Sequence, residues 1–239
     1  LSGTLKDPAL IGTLQCEKGS YQNYFTGTQL KEIQGEIEAC NNALKLSYLK
    51  ASDEKQGTFS CEGALLLSPE KNFPFELKSE LNQMHIVHSD FIDASSTGSL
   101  QILGNRDSAV ASGTLTIDKA VFKIFDELPY EIPELPVTFT NKPIYLQAST
   151  LQTSMPYPLH FDIKLEAPES VEVIGRGLES TWFGEVKLTG NMASPLAKGS
   201  LTLEKGEYTF SGKTFNLRQG EISFSDQPTP SAYLKINGD

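Results

Sequence analysis

Three histidines, three cysteines, a glycine–arginine–glycine run and a single tryptophan are the side chains of this 239-residue chain whose types and spacing invite a chemical reading. His85-Met-Ile-His88 is the nearest approach to a metal pair, with Asp90 and Asp93 close behind. Imidazole ligates zinc well, but residues three apart on a regular strand face opposite sides, so the pair does not hold an ion jointly. His160 precedes a strand and has no serine or cysteine beside it to activate. Cys16, Cys40 and Cys61 show neither a C-x-x-C pair nor metal-ligand spacing. They read as buried thiols acting as small hydrophobes, or as one disulfide with a thiol left over in an oxidising compartment. Gly175-Arg-Gly177, with Gly184 beyond it, suggests a phosphate cradle; such loops open a helix, however, and no helical pattern follows. Arg176 is expected to cap a strand edge or to pair with Glu179 or Glu185. Trp182-Phe183 fits buried filler better than an exposed platform for sugar. Carboxylates are plentiful but fall on the polar sides of strands. The expectation is therefore no catalytic set, no metal site and no cofactor.

The elements around these residues are strands. Over residues 175–236 apolar and polar residues alternate: Leu201 and Leu203 against Ser200, Thr202 and Glu204, then Phe215 and Leu217, then Ile222 and Phe224. A period of two means one dry face and one wet face. Glycines punctuate these units, and Gly19, Gly206, Gly212 and Gly220 are expected to make tight turns, Gly206 with a positive φ. A repeat emerges when the glycines are aligned. Gly12-Thr-Leu14-Gln-Cys16-Glu-Lys-Gly19-Ser-Tyr21 matches Gly113-Thr-Leu115-Thr-Ile117-Asp-Lys-Ala120-Val-Phe122 and Gly199-Ser-Leu201-Thr-Leu203-Glu-Lys-Gly206-Glu-Tyr208. Read as a strand, a Lys-Gly turn and an aromatic return strand, each copy is a hairpin in an extended array. Strands at that spacing number on the order of 20. At the usual strand separation the sheet would run on the order of 90 Å. A sheet so wide, apolar on one face, must close, fold over itself or fill its groove with something else.

Residues 31–50 fit two patterns: Ile33, Ile37, Cys40 and Leu44 make a helical stripe, while Leu44, Leu46 and Tyr48 alternate as a strand. The repeat favours strands. Gly57–Leu67 and Phe73–Leu81 are two more, and 84–96 reads as a looser strand plus loop. Pro129, Pro133, Pro136 and Pro143 break the pattern, which makes 125–143 a long connection, with one helical turn at 123–128. The organisation is thus one continuous array over 1–239: generic hairpin repeats over 1–124, the proline-rich connection, and a C-terminal portion over 144–239. Both ends read as strands already under way, as in a piece of a longer protein. The formal net charge of −10 argues against a nucleic-acid binder, which needs a basic face. No run of about 18 apolar residues offers a membrane-spanning helix.

The C-terminal part resembles the TamB family, within the larger AsmA-like group. The residues that carry the likeness are Gly175-Arg-Gly177-Leu178, Trp182, Gly184-x-Val186-x-Leu188-x-Gly190, Pro195, Gly199-x-Leu201-x-Leu203-x-x-Gly206-x-Tyr208, Gly212-Lys213-x-Phe215, Gly220-x-Ile222-x-Phe224, Pro230 and Leu234-x-Ile236. The resemblance implies an all-β, elongated, curled antiparallel sheet, taco- or gutter-like, with an apolar interior. It implies a periplasmic place in Gram-negative bacteria, an inner-membrane anchor, an Omp85-type outer-membrane partner (TamA-like), and a role in outer-membrane biogenesis and phospholipid passage. With alternation, it leads to an expected lining for lipid acyl chains of Leu115, Ile117, Phe161, Ile163, Leu165, Val186, Leu188, Leu201, Leu203, Phe215, Leu217, Ile222, Phe224, Leu234 and Ile236. The rival expectation is a chaperone whose open sheet edge lends strands to unfolded outer-membrane proteins. A carbohydrate-active solenoid is disfavoured because no carboxylate pair can be placed.

Overall fold

A computed structural model of the chain describes residues 2–3, 8–24, 26–125, 157–225 and 232–238. Those residues form thirteen strands: β1 (Ser2–Gly3), β2 (Pro8–Gln22), β3 (Gln29–Asn41), β4 (Ala43–Ser52), β5 (Thr58–Leu66), β6 (Phe75–His88), β7 (Ile92–Gly104), β8 (Ala109–Lys123), β9 (Leu159–Gly175), β10 (Leu178–Asn191), β11 (Ser194–Phe210), β12 (Lys213–Phe224) and β13 (Ala232–Gly238). The only helical element among them is a single 3-10 turn at Pro69–Lys71. The strands lie side by side in the order of the sequence. The sheet is curled and open. Residues 31–50 are two strands, as the repeat requires, and 84–96 comprises the end of β6, a short turn at 89–91 and the start of β7.

All pairs but one are antiparallel. β8 and β9 run parallel, Ala109 beside Leu159 and Lys123 beside Ile174, so two antiparallel meanders are joined along one parallel seam. The proline-rich stretch falls between these strands. A hairpin cannot connect parallel strands, and so long an interruption is what a parallel pairing needs. The helical turn expected at 123–128 is not found in its described part: Lys123 closes β8, and the Ile124 N–H donates to the Ile174 carbonyl. The remainder of that connection lies outside the described residues.

The strands are long, up to seventeen residues, and this corrects the hairpin reading of the repeat. Its three copies are single strands, β2, β8 and β11. Within each copy the inward residues step by two, two, three and two: Gly113, Leu115, Ile117, Ala120, Phe122. The step of three is a β-bulge, where the pairing of β7 with β8 slips by one residue. An extra residue in one strand bends it and lets alternation resume in phase. Glu17-Lys18, Asp118-Lys119 and Glu204-Lys205 are therefore bulges, not turns. Gly19, Gly206 and Gly220 accordingly lie within strands, and Gly206 has no positive φ. Of the four glycines only Gly212 makes a turn, between β11 and β12, at φ +76°. The described residues make thirteen strands, and each copy of the repeat that reads as a two-stranded hairpin is one of them.

The bulges sit beside one another across the sheet. Ser96 lies opposite both Met84 and Ile117; Val171 lies opposite both Ala120 and Trp182; Trp182 faces Leu203. A crease thus runs across the strands, and the best-buried side chains line its inner side. Ser96 is 0 % exposed and Trp182 1 %. Glu32, Gln83 and Glu169, each at φ near +50°, are the left-handed residues of this line. The backbone N–H of Gln83, freed from the ladder by its bulge, donates to Thr97 Oγ1 at 2.9 Å, and that hydroxyl donates to Asp118 Oδ2 at 2.8 Å. A polar chain on the outer side of the crease thereby replaces the ladder bond.

Trp182 extends from β10 across β11, and Gly220 on β12 makes room for it: a Cβ there would come within 2.8 Å of the indole ring. Its Nε1–H donates to Ser180 Oγ at 2.9 Å, so burial leaves no orphaned donor. Phe183, its neighbour, is 37 % exposed on the outer face. The filler reading of the pair holds for Trp182 alone. We expect Trp182→Ala to cost about 3–5 kcal/mol in the free energy of unfolding. Phe183→Ala should cost less than about 1 kcal/mol. Denaturant melts of the two variants check this; equal losses would mean that the crease does not carry the fold.

Candidate functional site

The inner face of the bent sheet is the candidate site. Its apolar side chains group into two clusters that meet at Ile86. One gathers Ala94, Ala120, Ala167, Val171, Trp182, Leu201 and Leu203 along the crease. The other gathers Leu81, Met84, Ala111, Leu115 and Ile163 on the longer wall. Among the expected lining residues, Leu115, Ile163, Leu201 and Leu203 are buried. Ile117, Phe161, Leu165, Val186, Leu188, Leu217, Ile222 and Phe224 are half-buried and pack against the clusters. Phe215 is on the same face but 38 % exposed, near a strand end and outside both clusters. Leu234 and Ile236 pair with Ile222 and Gly220 in β13, but their side chains lie outside the described residues.

Alternation missed the small residues of the lining. Ala94, Ala109, Ala111, Ala120 and Ala167 are all buried, and so is Met84. Choosing only large apolar residues passed over them, although Ala109-x-Ala111 alternates in phase with Gly113-x-Leu115. The glycines belong to the same floor. Gly98 stands opposite Leu115 and Gly113 opposite Leu100; Gly184 stands opposite Leu201 and Gly199 opposite Val186. At Gly98 and Gly113 an added Cβ would meet a partner-strand carbonyl at 2.2 Å. Strand crosses strand too closely there for any side chain, and the facing leucine lies over the gap.

The outer face is polar and laced with exposed ion pairs. Lys187 meets Asp162 at 2.8 Å, while Lys164 bridges Glu166 at 2.8 Å and Glu185 at 3.1 Å, contacts that raise the Lys164 pKa. Exposed pairs of this kind add little stability. His160 lies on this wall between Val110 and Asn191. Arg176 sits in the β9–β10 turn at φ +52° and donates from Nε to the Phe125 carbonyl at 2.9 Å, a strand-end contact and not a phosphate cradle. All three cysteines are free. Cys16 and Cys40 are exposed, against the expectation of burial, and Cys61 is half-buried with its thiol pKa raised by that burial.

One tight polar cluster closes an end of the site. The β4–β5 hairpin is short, so β6 overhangs it, and the β2–β3 turn bends over the gap. The His88 N–H donates to the Thr26 carbonyl at 2.7 Å, and Thr28 Oγ1 donates to the Ile86 carbonyl at 2.7 Å. Beneath lies Asp53, buried. It accepts from the backbone N–H groups of Lys55, Gly57 and His85, and from His85 Nδ1 at 2.9 Å. Burial pushes the Asp53 pKa up, but the bonds from His85, Gly57 and Lys55 outweigh it and hold the carboxyl below its ordinary value. An ionised carboxylate only accepts, so the His85 proton sits on Nδ1. The pairing slips between His85 and Val87, and both histidines line one cleft of about 50 Å³. The bulge overturns the premise that they face opposite ways. They still engage different carboxylates, His85 with Asp53 and His88 with Asp93, and no group of three His, Cys, Asp or Glu among the described residues is placed to hold a metal ion.

The curled one-faced sheet, creased and lined with apolar side chains, defines a class of open β-trough proteins. Residues 46–239 match the family model of the TamB C-terminal domain, and the chain belongs to the TamB family. The match starts in β4, well before the C-terminal portion in which the motifs were legible. The family's general role is transport and assembly at the bacterial outer membrane, which gives the chain an envelope-associated place. No curated protein is detectably similar to the chain in sequence. No described helix is long and apolar enough to cross a membrane.

A depressed carboxyl pKa contributes stability that is present above the unfolded-state pKa and lost as pH falls through the folded-state value. The stability difference between wild type and Asp53→Ala should therefore be constant near neutrality and shrink below about pH 4. Urea melts across that range check it. A difference that grows on acidification would contradict the assigned hydrogen bonds.

Proposed function

We propose that this chain is a segment of a periplasmic, non-enzymatic conduit that carries phospholipid between the inner and outer membranes, acyl chains in the trough and headgroups at its open mouth. The observation that supports it is the gradient of burial along one inner face. The floor is sealed, as at Trp182, while apolar walls such as Phe161, Leu217 and Phe224 keep area available. Each methylene moved from water into such a surface gains about 0.8 kcal/mol. The trough passes from strand to strand along the described array, so an acyl chain sliding along it exchanges one apolar contact for another. Support of outer-membrane biogenesis, with an Omp85-type partner at the outer membrane, belongs to the same reading.

A strand-lending chaperone has one observation in its favour. Beyond Ala9, β2 pairs only with β3 among the described residues, and Ile11 and Leu14 on it are 80 % and 68 % exposed. Photocrosslinkers at Phe161 and Leu217 should capture phospholipid, and one at Thr13 should capture none. Capture of unfolded outer-membrane protein at Thr13, with no lipid at the wall positions, would replace the conduit by the chaperone. Leu217→Asp should lower lipid copurifying with the protein by roughly tenfold, since a charge in the wall makes a wet gap in the apolar path. Its circular dichroism should stay that of a folded sheet, because Leu217 is only half-buried.

A further inference from the structure

Outside the trough, on the wall between the crease and the strand ends, lies a cleft of about 230 Å³. Lys55, Lys119 and Lys123 line it with His85 and Ser95, and its one carboxylate is Asp93. Three lysines thus converge on a cleft with one carboxylate in its lining and a second, Glu172, at its edge, in a chain whose net charge is −10. Their positions follow from the bulge in β8: the extra residue at Asp118 turns Lys119, Val121 and Lys123 outward, Lys119 beside Ser95, Val121 beside Asp93 and Lys123 beside Phe91. Lys55 is brought in by the β4–β5 turn and held by Asp93 Oδ2 at 3.1 Å. Lys119 reaches Glu172 only at 3.7 Å, and Lys123 makes no ion pair among the described residues. Two ammonium groups are therefore loosely held or uncommitted at the mouth of a concave surface.

What lies beside the cleft narrows the ligand. One residue before Lys123, Phe122 is on the inner face between Ile92 and Val173. The lip that separates the two surfaces is apolar: Phe91, Ile124 and Phe125 are 40 %, 42 % and 41 % exposed, with the two phenyl rings edge to face at 5.1 Å. The Lys123 N–H donates to the Phe91 carbonyl, which ties lip to cleft. Over a single residue of β8 the surface passes from apolar trough to cationic cleft. An amphiphile has that same succession at its glycerol. We infer that the Lys55–Lys119–Lys123 cleft holds the phosphate of a phospholipid whose acyl chains lie over the lip in the trough, an assignment that rests on the conduit reading.

Isothermal titration of the full chain with dihexanoyl phosphatidic acid, dihexanoylglycerol and inorganic phosphate tests it. Charge-assisted bonds from two lysines should make phosphatidic acid bind roughly tenfold more tightly than the diacylglycerol. The double variant Lys119→Gln/Lys123→Gln should erase that difference and leave diacylglycerol affinity and the thermal midpoint as in wild type. A double variant that keeps the tenfold preference overturns the assignment. So does inorganic phosphate that binds wild type as tightly as phosphatidic acid does, since the site then serves free phosphate. A wild type that binds no diacylglycerol, while phosphatidic acid still senses the lysines, overturns the conduit reading instead and leaves the cleft a phosphate site. If the double variant melts earlier, Lys123→Arg decides: a retained cation should retain the preference.

Discussion

A broad sheet with one apolar face cannot lie flat in water, and this constraint organises the molecule. Burying that face against a second layer would need helices or another sheet, and the described residues supply neither. The remaining solution is for each strand to bend. A regular strand of fifteen to seventeen residues resists a sharp bend without losing the phase of its side chains. A bulge supplies both the bend and the phase, because the extra residue is absorbed at the corner. Asp118, Glu169 and Glu204 stand at such corners, where the polar residue faces outward and the ladder bond is given up. Once neighbouring strands bulge at neighbouring positions, the bends add up to a crease.

Much of this was legible in the sequence, and what was not has identifiable causes. Alternation is a local property and located the inner face from Leu115 to Phe224. The repeat was equally legible, since it needs only the spacing of glycines and apolar residues. The meaning of Glu-Lys-Gly was not. A three-residue break in alternation is compatible with a turn that reverses the chain or with a bulge that does not, and the choice is made by partners on other strands. Ser96 and Val171, which decide it for β8, are remote in sequence. The His85–His88 pair failed for the same reason: the opposite-face argument is sound for a regular strand, and β6 is not regular there. The parallel β8–β9 seam depends on where the chain returns after a proline-rich interruption, which no local pattern encodes.

Polar groups mark where the crease and the closed end are held. Thr97 links Gln83 to Asp118 across three strands, replacing a lost ladder bond with two side-chain bonds. Asp53 gathers four donors at the overhang of β6, where the short β4–β5 hairpin would otherwise leave N–H groups without partners. Neither residue stands out in sequence, as each is one polar residue among many on an acidic surface. Both matter because bending and uneven strand lengths take backbone groups out of the ladder, and a buried unpaired N–H costs more than a hydrogen bond contributes.

The distribution of side-chain size on the inner face separates a trough from an ordinary core. A core would place large side chains wherever the walls converge. Here the floor and its flanks mix Ala94, Ala120, Ala167, Gly98, Gly113 and Ser96 with larger buried side chains, Met84, Leu115, Leu201, Leu203 and Trp182, the last reaching over Gly220. Leucines that face glycines lie down across the neighbouring strand and do not stand into the space above it. The larger phenyl rings, Phe161, Phe215 and Phe224, are on the walls and near the mouth, where they are only partly covered. Small residues at the bottom let the strands come close and seal the floor without filling the volume above it. Packing thus becomes looser away from the crease, from 1 % exposure at Trp182 on β10 to 38 % at Phe215 near the end of β12. Uniform burial of the whole face would have maximised stability. The chain instead leaves apolar wall exposed, a cost in solvation that an amphiphile of the proposed kind would relieve.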